Sequence, residues 1–407
     1  MQPTKVLCIV RREQKSVKSL LRGYRQPVFA FRKHSIEKAA SFFLNNFKGE
    51  PLYAVKTNPE PHVIKILCQL GFHSFDVASL EEIRLVSSLS KDANLYYMHP
   101  VKPRHAIREA YFKYGVRHFS LDSKEELDKI RKETKNADDL CLHVRMSIPN
   151  TFAELSLGEK FGVNLQDAPK LLSQVRQYAK KLGVCFHVGS QCMHPDAYRI
   201  AIRMAISSIK EAKVTIESLN VGGGFPSIYP GMVPPPMSSY FDAIHEEFRK
   251  VKGYKKLELL CEPGRAIVAE STSVIVRVEM RKGQNLYIND GTYGSLFDAG
   301  IPHFIYPVNL LRGKDDKGDS DHVLPFSFYG PTCDTLDFMK GPFYLPSDVR
   351  EGDFIEIGQI GAYGRTMATG FNGFSHKRGV HEVDDNPLMT MYGDDKDINH
   401  SPEKIAV

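Results

Sequence analysis

Between residue 51 and about residue 264, eight short apolar runs alternate with longer amphipathic stretches, and this rhythm restricts the fold more than any other feature of the chain. The runs lie at 52–56, 75–79, 95–99, 118–122, 140–146, 184–190, 219–224 and 257–262, with helix-like segments such as 123–132, 165–181, 198–210 and 240–251 between them. Continuous apolar strands alternating with helices indicate a parallel sheet buried on both faces. Eight such units in a little over 200 residues fit a (β/α)8 barrel better than an open doubly wound sheet, which would need a reversal of strand order.

After residue 265 the pattern changes. Residues 273–280 (SVIVRVEM), 285–288, 325–329 and 354–357 read as strands with no long helical pattern between them, the signature of an antiparallel β domain. The expected organisation is 1–34 as a helix and strand packing on the β domain, 35–265 as the barrel, and 266–407 as the C-terminal β domain. The first 33 residues carry nine basic residues and one acidic residue, Glu13. That composition would suit a transit peptide. Helical spacing of Val17, Leu20 and Leu21 favours a solvated basic helix that breaks at Arg25-Gln26-Pro27, before a strand over 28–31. Residues 313–321 read as a polar loop, and the Asp-rich tail from about 382 as a loop or frayed end.

Lys plus Arg exceeds Asp plus Glu by only 54 − 48 = 6, which gives no case for nucleic acid without a concentrated basic patch. No apolar run reaches the ~20 residues of a membrane span. The seven cysteines, at 8, 68, 141, 185, 192, 261 and 333, form no CxxC pair, so no metal site is expected. Free thiols point to a reducing compartment, and the cytoplasm is the expected location.

Catalytic groups of (β/α)8 barrels stand at the C-terminal ends of the strands. Lys56 follows the apolar run at that position. A lysine there is desolvated on one side, which would make its amine a usable nucleophile; a lysine snorkelling at the rim is the plainer alternative. His187 and Ser190 end the sixth run. Gly222-Gly223-Gly224 end the seventh, either to cradle a phosphate with bare N–H groups or to make a turn that needs positive φ. Glu262-Pro263-Gly264-Arg265 end the eighth, a carboxylate beside a guanidinium that an ion pair would also explain. A nucleophilic amine, a phosphate cradle, an arginine, a ring to stack and a carboxylate together make the set that pyridoxal phosphate needs.

The motifs YAVKTNP (53–59), FDVAS (75–79), KFGV (160–163), HVGSQC (187–192), VGGGFP (221–226), CEPGR (261–265), YGPTCDTLD (329–337) and GAYGRTMATGFNGF (361–374) resemble, in order, those of fold-type III pyridoxal-phosphate decarboxylases of the ornithine/lysine decarboxylase group. The resemblance covers about residues 28–375. It implies an alanine-racemase-like barrel followed by the β domain. It implies that Lys56 holds the cofactor, His187 stacks on its ring, and Glu262 pairs with the ring nitrogen. Ser190, Gly222, Gly223, Gly224, Gly264, Arg265 and Tyr363 would bind the phosphate, with Pro263 in the same segment, and Asp76 and Arg145 would support lysine and cofactor. Cys333 would be the proton donor at Cα, which favours amine release over transamination. Asp334 would take the distal ammonium of the substrate. Both would reach into the partner subunit's site, which implies a head-to-tail homodimer.

The Tyr293-Gly294-Ser295 motif is not followed by the Tyr-Asp pair of eukaryotic relatives, which leaves open whether Asp298 contacts the substrate. The resemblance implies decarboxylation of a basic amino acid, first L-ornithine to putrescine in polyamine biosynthesis, with lysine or dual lysine/ornithine activity as the alternative. A diaminopimelate decarboxylase would show a Cys-Glu-Ser type segment where Cys333-Asp334 stand. An alanine-racemase-like enzyme would share only the lysine and the barrel. A non-enzymatic regulatory homologue would lack cofactor residues that are present here.

Overall fold

All eight apolar runs of the first region become strands: Glu50–Ala54, Ser74–Val77, Asn94–Tyr97, His118–Leu121, Cys141–Arg145, Lys181–Cys185, Ser218–Asn220 and Glu258–Cys261. They pair in chain order into a closed parallel barrel, in which Leu260 and Cys261 stand beside Glu50 and Pro51. The computed structural model describes residues 10–11, 16–21, 25–156, 160–312, 322–374 and 379–393. The chain divides into two compact units, a barrel unit of residues 40–226 and 234–266 and a sheet unit of residues 1–39, 227–233 and 267–407.

Local chemistry sets the barrel helices. Ser79 and Ser123 each accept the backbone N–H of a glutamate three residues on, Glu82 and Glu126, which starts the helices Leu80–Leu89 and Lys124–Glu133 with serine N-caps. Gly71 and Gly115, both left-handed, end the helices Pro61–Leu70 and Arg104–Tyr114. Leu52, Tyr96, Met98, Cys185 and Leu260 pack into one buried cluster. The sixth run corrects the reading of the sequence. Its strand ends at Cys185, and Ser190 opens a separate strand, Ser190–Cys192, antiparallel to Ala153–Leu155. Positive φ at Gly189 (97°) and Gln191 (54°) turns the chain there.

The sheet unit holds nine strands among the described residues. Thr272–Lys282 is central: its first half lies between Val28–Phe31 and Phe354–Ile357, and its second half pairs with Asn285–Ile288. Most pairings are antiparallel, but Val380–Glu382 lies parallel to Val28–Phe31 and to Val10–Arg11, and Asn285–Ile288 parallel to Val323–Tyr329. These pairs join segments distant in sequence, where no hairpin imposes direction. The strands Val308–Leu311, Phe338–Pro346 and Val380–Glu382 went unread in the sequence. Phe338–Pro346 lies at a sheet edge and carries Pro342, which an edge strand tolerates.

The expected solvated helix near the N-terminus is a 3-10 turn, Val17–Leu21, exposed at Lys18 and Ser19 but not solvated throughout. Val17 and Leu20 are buried with Val28, Ala30, Ile275, Leu311 and Val383. Arg32 crosses the sheet interior, donating to Glu356 at 2.6 Å, Ser273 at 2.7 Å and the carbonyl of Asp385 at 2.9 Å. The chain from 383 to 393 is irregular but packed rather than frayed, with Val383 buried and the Val17 N–H on Asp385. Residues 313–321, much of the basic N-terminal segment, Cys8 and residues 394–407 lie outside the described residues. The six described cysteines are free thiols. Among the described residues no helix is long and apolar enough to cross a membrane.

Candidate active site

A cavity of ≈ 530 Å³ opens among the C-terminal ends of the barrel strands and gathers Lys56, Asp76, His99, Arg145, His187 and Glu262. A wider hollow of ≈ 800 Å³ at the opposite end is lined by strand-leading residues such as Glu50, His118, Lys181 and Glu258. It is bridged by the Lys181–Glu258 ion pair at 2.6 Å.

Lys56 sits in the 3-10 turn Val55–Thr57 directly after its strand. Its Nζ lies 3.3 Å from Oδ2 of Asp76, whose side chain is 3% exposed while that of Lys56 is 43% exposed. The Lys56 side chain is thus more than half covered, open to the cavity and beside a buried carboxylate. Glu262 is buried, and its Oε1 accepts 2.7 Å from Asn220. Burial pushes the Glu262 carboxyl up, as does the neighbouring Asp76 charge, while Lys56 and Arg145 pull it down. Asn220 also accepts the Gly222 N–H at 2.9 Å, so one amide couples the carboxylate to the glycine turn.

Burial, and then Lys56 and Arg145, hold the His187 imidazole well below its ordinary pKa. Its Nδ1 accepts the Gly189 N–H at 3.0 Å, which leaves the proton of the neutral ring on Nε2. A Cβ on Gly223 would stand 3.0 Å from that Nε2 and 2.8 Å from the Glu262 carbonyl. Gly222 (φ 70°) and Gly224 (φ 101°) are left-handed, and a Cβ on Gly222 would meet the Phe186 carbonyl at 2.0 Å. Backbone geometry thus requires these glycines whatever they bind. A Cβ on Gly264 would lie 2.1 Å from Thr57 Oγ1, and the Pro263 carbonyl accepts the Ala54 N–H. Arg265 is buried and opens the short helix Arg265–Val268.

Cys333, Asp334, Tyr363 and Asp298 belong to the sheet unit. Asn372 Oδ1 accepts both the Cys333 backbone N–H at 3.1 Å and its thiol at 3.2 Å. Asp334 is not a bare carboxylate: Oδ1 accepts the Leu336 N–H at 2.9 Å and Oδ2 the Tyr293 hydroxyl at 2.7 Å. These bonds, the Leu336 N–H first, hold its carboxyl below the usual range. Tyr363 is left-handed (φ 62°), a rare state for a bulky residue. Asp298 is 5% exposed, within the turn Phe297–Ala299.

Three participants carried no assigned role in the sequence. His99 lines the cavity, with Nδ1 taking the Val101 N–H at 3.1 Å and its ring edge-on to Phe161 at 5.1 Å. Its position at the end of the third run was the available signal. Lys160 lines the cavity from the KFGV motif. Asn220 lies within the seventh run, where nothing marked it.

An amine, two buried carboxyls, a neutral imidazole and a guanidinium lining one cavity form a donor set that suits an aldehyde cofactor with a basic ring nitrogen. Residues 33–269 match the family described as pyridoxal-dependent decarboxylase, pyridoxal binding domain, and residues 260–361 match its C-terminal sheet domain. The chain belongs to the pyridoxal-dependent decarboxylases. It is a decarboxylase that uses pyridoxal phosphate, on the alanine-racemase-like barrel-plus-sheet fold. A lysine/ornithine decarboxylase of Selenomonas ruminantium is 30% identical over 374 residues, 89% of this chain and 91% of the relative. An ornithine decarboxylase of Panagrellus redivivus is 31% identical over 364 residues, 84% of this chain and 82% of the relative. The structure of a lysine/ornithine decarboxylase from Vibrio vulnificus complexed with putrescine superposes with a TM-score of 0.76 at 28% identity, covering 91% of this chain and 97% of that one.

Proposed function

We propose that this decarboxylase acts on a basic amino acid, with L-ornithine converted to putrescine as its main reaction and L-lysine as the alternative substrate. The observation that carries the substrate reading is Asp334, an ionised carboxylate fixed by Tyr293 and Leu336 in a form that suits a distal ammonium. Relatives named for ornithine and lysine support the same class. The proposed setting is polyamine biosynthesis in the cytoplasm.

Bound pyridoxal phosphate supplies an aldehyde carbon for exchange with the substrate amine and a conjugated ring that takes up the electron pair of the breaking carbon–carboxylate bond. Lys56 offers the amine that holds the cofactor, and Asp76 keeps that side chain aimed into the cavity. His187, neutral, offers a flat face for the ring. Glu262 holds a proton at the ring nitrogen, and Arg145 adds positive charge to the same wall. Ser190, the glycines 222–224, Gly264, Arg265 and Tyr363 bind the phosphate. Cys333, aligned by Asn372, delivers a proton to the substrate Cα.

Cys333 and Asp334 act in the site of a partner subunit in a head-to-tail homodimer. Leu336 (58% exposed) and Phe371 (41% exposed) flank them, and Phe371 packs on Tyr293 at 5.0 Å; apolar exposure of this kind suits an interface.

A panel of ornithine, lysine, arginine and diaminopimelate, scored by CO2 release, tests the substrate. Ornithine is expected to give the highest kcat/KM and lysine the next, and a preference for diaminopimelate would overturn the reading. Asp334→Asn should lower kcat/KM for ornithine by roughly ten- to a hundredfold. Cys333→Ala should retain cofactor but give slower turnover with an aldehyde side product in place of clean diamine.

A further inference from the structure

The sheet unit holds a second cavity, of ≈ 130 Å³, that shares no residue with the barrel cavity. A single ordered water needs roughly 10–15 Å³ on the same measure, so there is room for a molecule of several heavy atoms. One wall is the first two turns of the helix Lys33–Asn46, contributing His34, Ser35 and Lys38. Another is Glu270, and the segment 386–390 closes over both.

The polar atoms of this wall are incompletely used. Ser35 is 4% exposed, and its hydroxyl has no hydrogen-bond partner among the described residues. The buried Nε2 of His34 has none there either. Unused buried donors are costly unless something fills the space beside them. The helix N-terminus adds the positive end of its dipole, and Lys38 stands exposed at the rim.

Glu270 is 5% exposed and is the only acid in the lining among the described residues. Its Oε1 accepts the Met391 N–H at 2.7 Å, and the carboxyl also bonds Thr390. Burial pushes it up to about 7, with those two bonds and Lys38 acting in the other direction. Tyr392, which packs against Glu270, has its phenol pushed well up by burial. Burial, Arg32 and Lys38 lower the His34 imidazole, against Asp384 and Glu37. Below about pH 7 the lining therefore presents the Ser35 hydroxyl, the His34 Nε2 and a protonated Glu270, and above it Glu270 becomes a carboxylate. Ile228 and Leu388 supply apolar surface beside them.

We propose that this cavity is a binding site for a small monocarboxylate of acetate size, whose oxygens meet Ser35, His34 and Glu270 and whose carbon end rests on Ile228 and Leu388. The proposal is independent of which amino acid the enzyme decarboxylates. A cation is disfavoured below about pH 7, because Lys38 stands at the rim and Glu270 is then protonated.

Acetate titrated calorimetrically into the full-length, cofactor-loaded enzyme at constant ionic strength tests this. Affinity should fall about tenfold from pH 6 to pH 8 as a group titrating near 7 loses its proton. Glu270→Gln, which keeps a donor but cannot ionise, should bind acetate equally at both pH values. Ser35→Ala should weaken binding at pH 6 by roughly tenfold. Absence of acetate binding at pH 6, unchanged affinity in Ser35→Ala, or tighter binding at pH 8 would each overturn the proposal, as would methylammonium binding that Ser35→Ala abolishes. If Glu270→Gln does not fold, the wild-type pH dependence and Ser35→Ala decide the matter.

Discussion

The barrel and sheet units fix their candidate residues by different means. Lys56, Asp76, Arg145 and Glu262 stand at or just beyond strands whose neighbours on both sides hold the backbone in a closed ladder. Cys333 and Asp334 stand on a turn held mainly by side chains. Asp337, buried beneath that turn, accepts the N–H and hydroxyl of Thr292 at 2.8 and 3.1 Å and those of Thr332 at 3.0 and 2.7 Å. A barrel rim suits groups that must not move while a bond breaks, because positions are set by the whole sheet. A turn suits groups that select a substrate, because its shape can change without disturbing the barrel.

The contrast can be broken most forcefully at Lys56. Lys56→Ala should abolish covalent cofactor attachment and lower kcat by roughly a thousandfold or more, while the fold persists. Borohydride reduction followed by mass spectrometry checks this, and an unchanged pyridoxyl label would refute the assignment. Glu262→Gln keeps the Asn220 contact through an amide but removes the charge meant for the ring nitrogen. It should retain cofactor and lose roughly a hundredfold in kcat, read by steady-state assay beside the cofactor absorbance.

The turn should respond in stability and KM rather than in cofactor binding. Asp337→Asn keeps one oxygen for two of these four donors and sets an amide NH2 against the other two, and should cost about 3 kcal/mol in urea unfolding. Cofactor absorbance should be retained and the KM for ornithine should rise.

The smallest effect concerns the barrel at acid pH. Burial holds His118 at about 4 and His143 well below the ordinary histidine range, with the two rings 3.1 Å apart at nitrogen. Both values are depressed on folding, so between about pH 6.5 and pH 4 the unfolded chain binds more protons than the folded one. Stability is then complete above about pH 6.5 and is lost as pH falls toward 4. For His118 this amounts to ~2 kcal/mol between pH 7 and pH 5. His118→Gln should remove that part of the acid limb, read as a smaller difference in unfolding free energy between the two pH values.

Sequence legibility followed the same division. The barrel strands are apolar on both faces, so each appears as a run, and every run became a strand. Lys56, His187 and Glu262, which line the barrel cavity, stood out because they end such runs. Asn220 was not, because a polar residue within a run gives no sign that its amide bridges Glu262 and Gly222. In the sheet unit, strands alternate exposure or carry Gly341 and Pro342, and partners such as Val28–Phe31 and Val380–Glu382 are far apart in sequence. The mixed pairing was invisible for that reason. The dependence of Cys333 on Asn372 is likewise a contact across 39 residues.

The central claim is that a complete site takes Lys56 from one chain and Asp334 from another. Lys56→Ala and Asp334→Ala subunits, each of little activity, should be mixed, refolded together and assayed for ornithine decarboxylation, with subunit exchange followed by native mass spectrometry. A heterodimer built this way has one site with both residues intact, so roughly a quarter of wild-type activity should return, half of the dimers being mixed and each carrying one of two sites. Exchange without any recovery of activity would contradict the shared site.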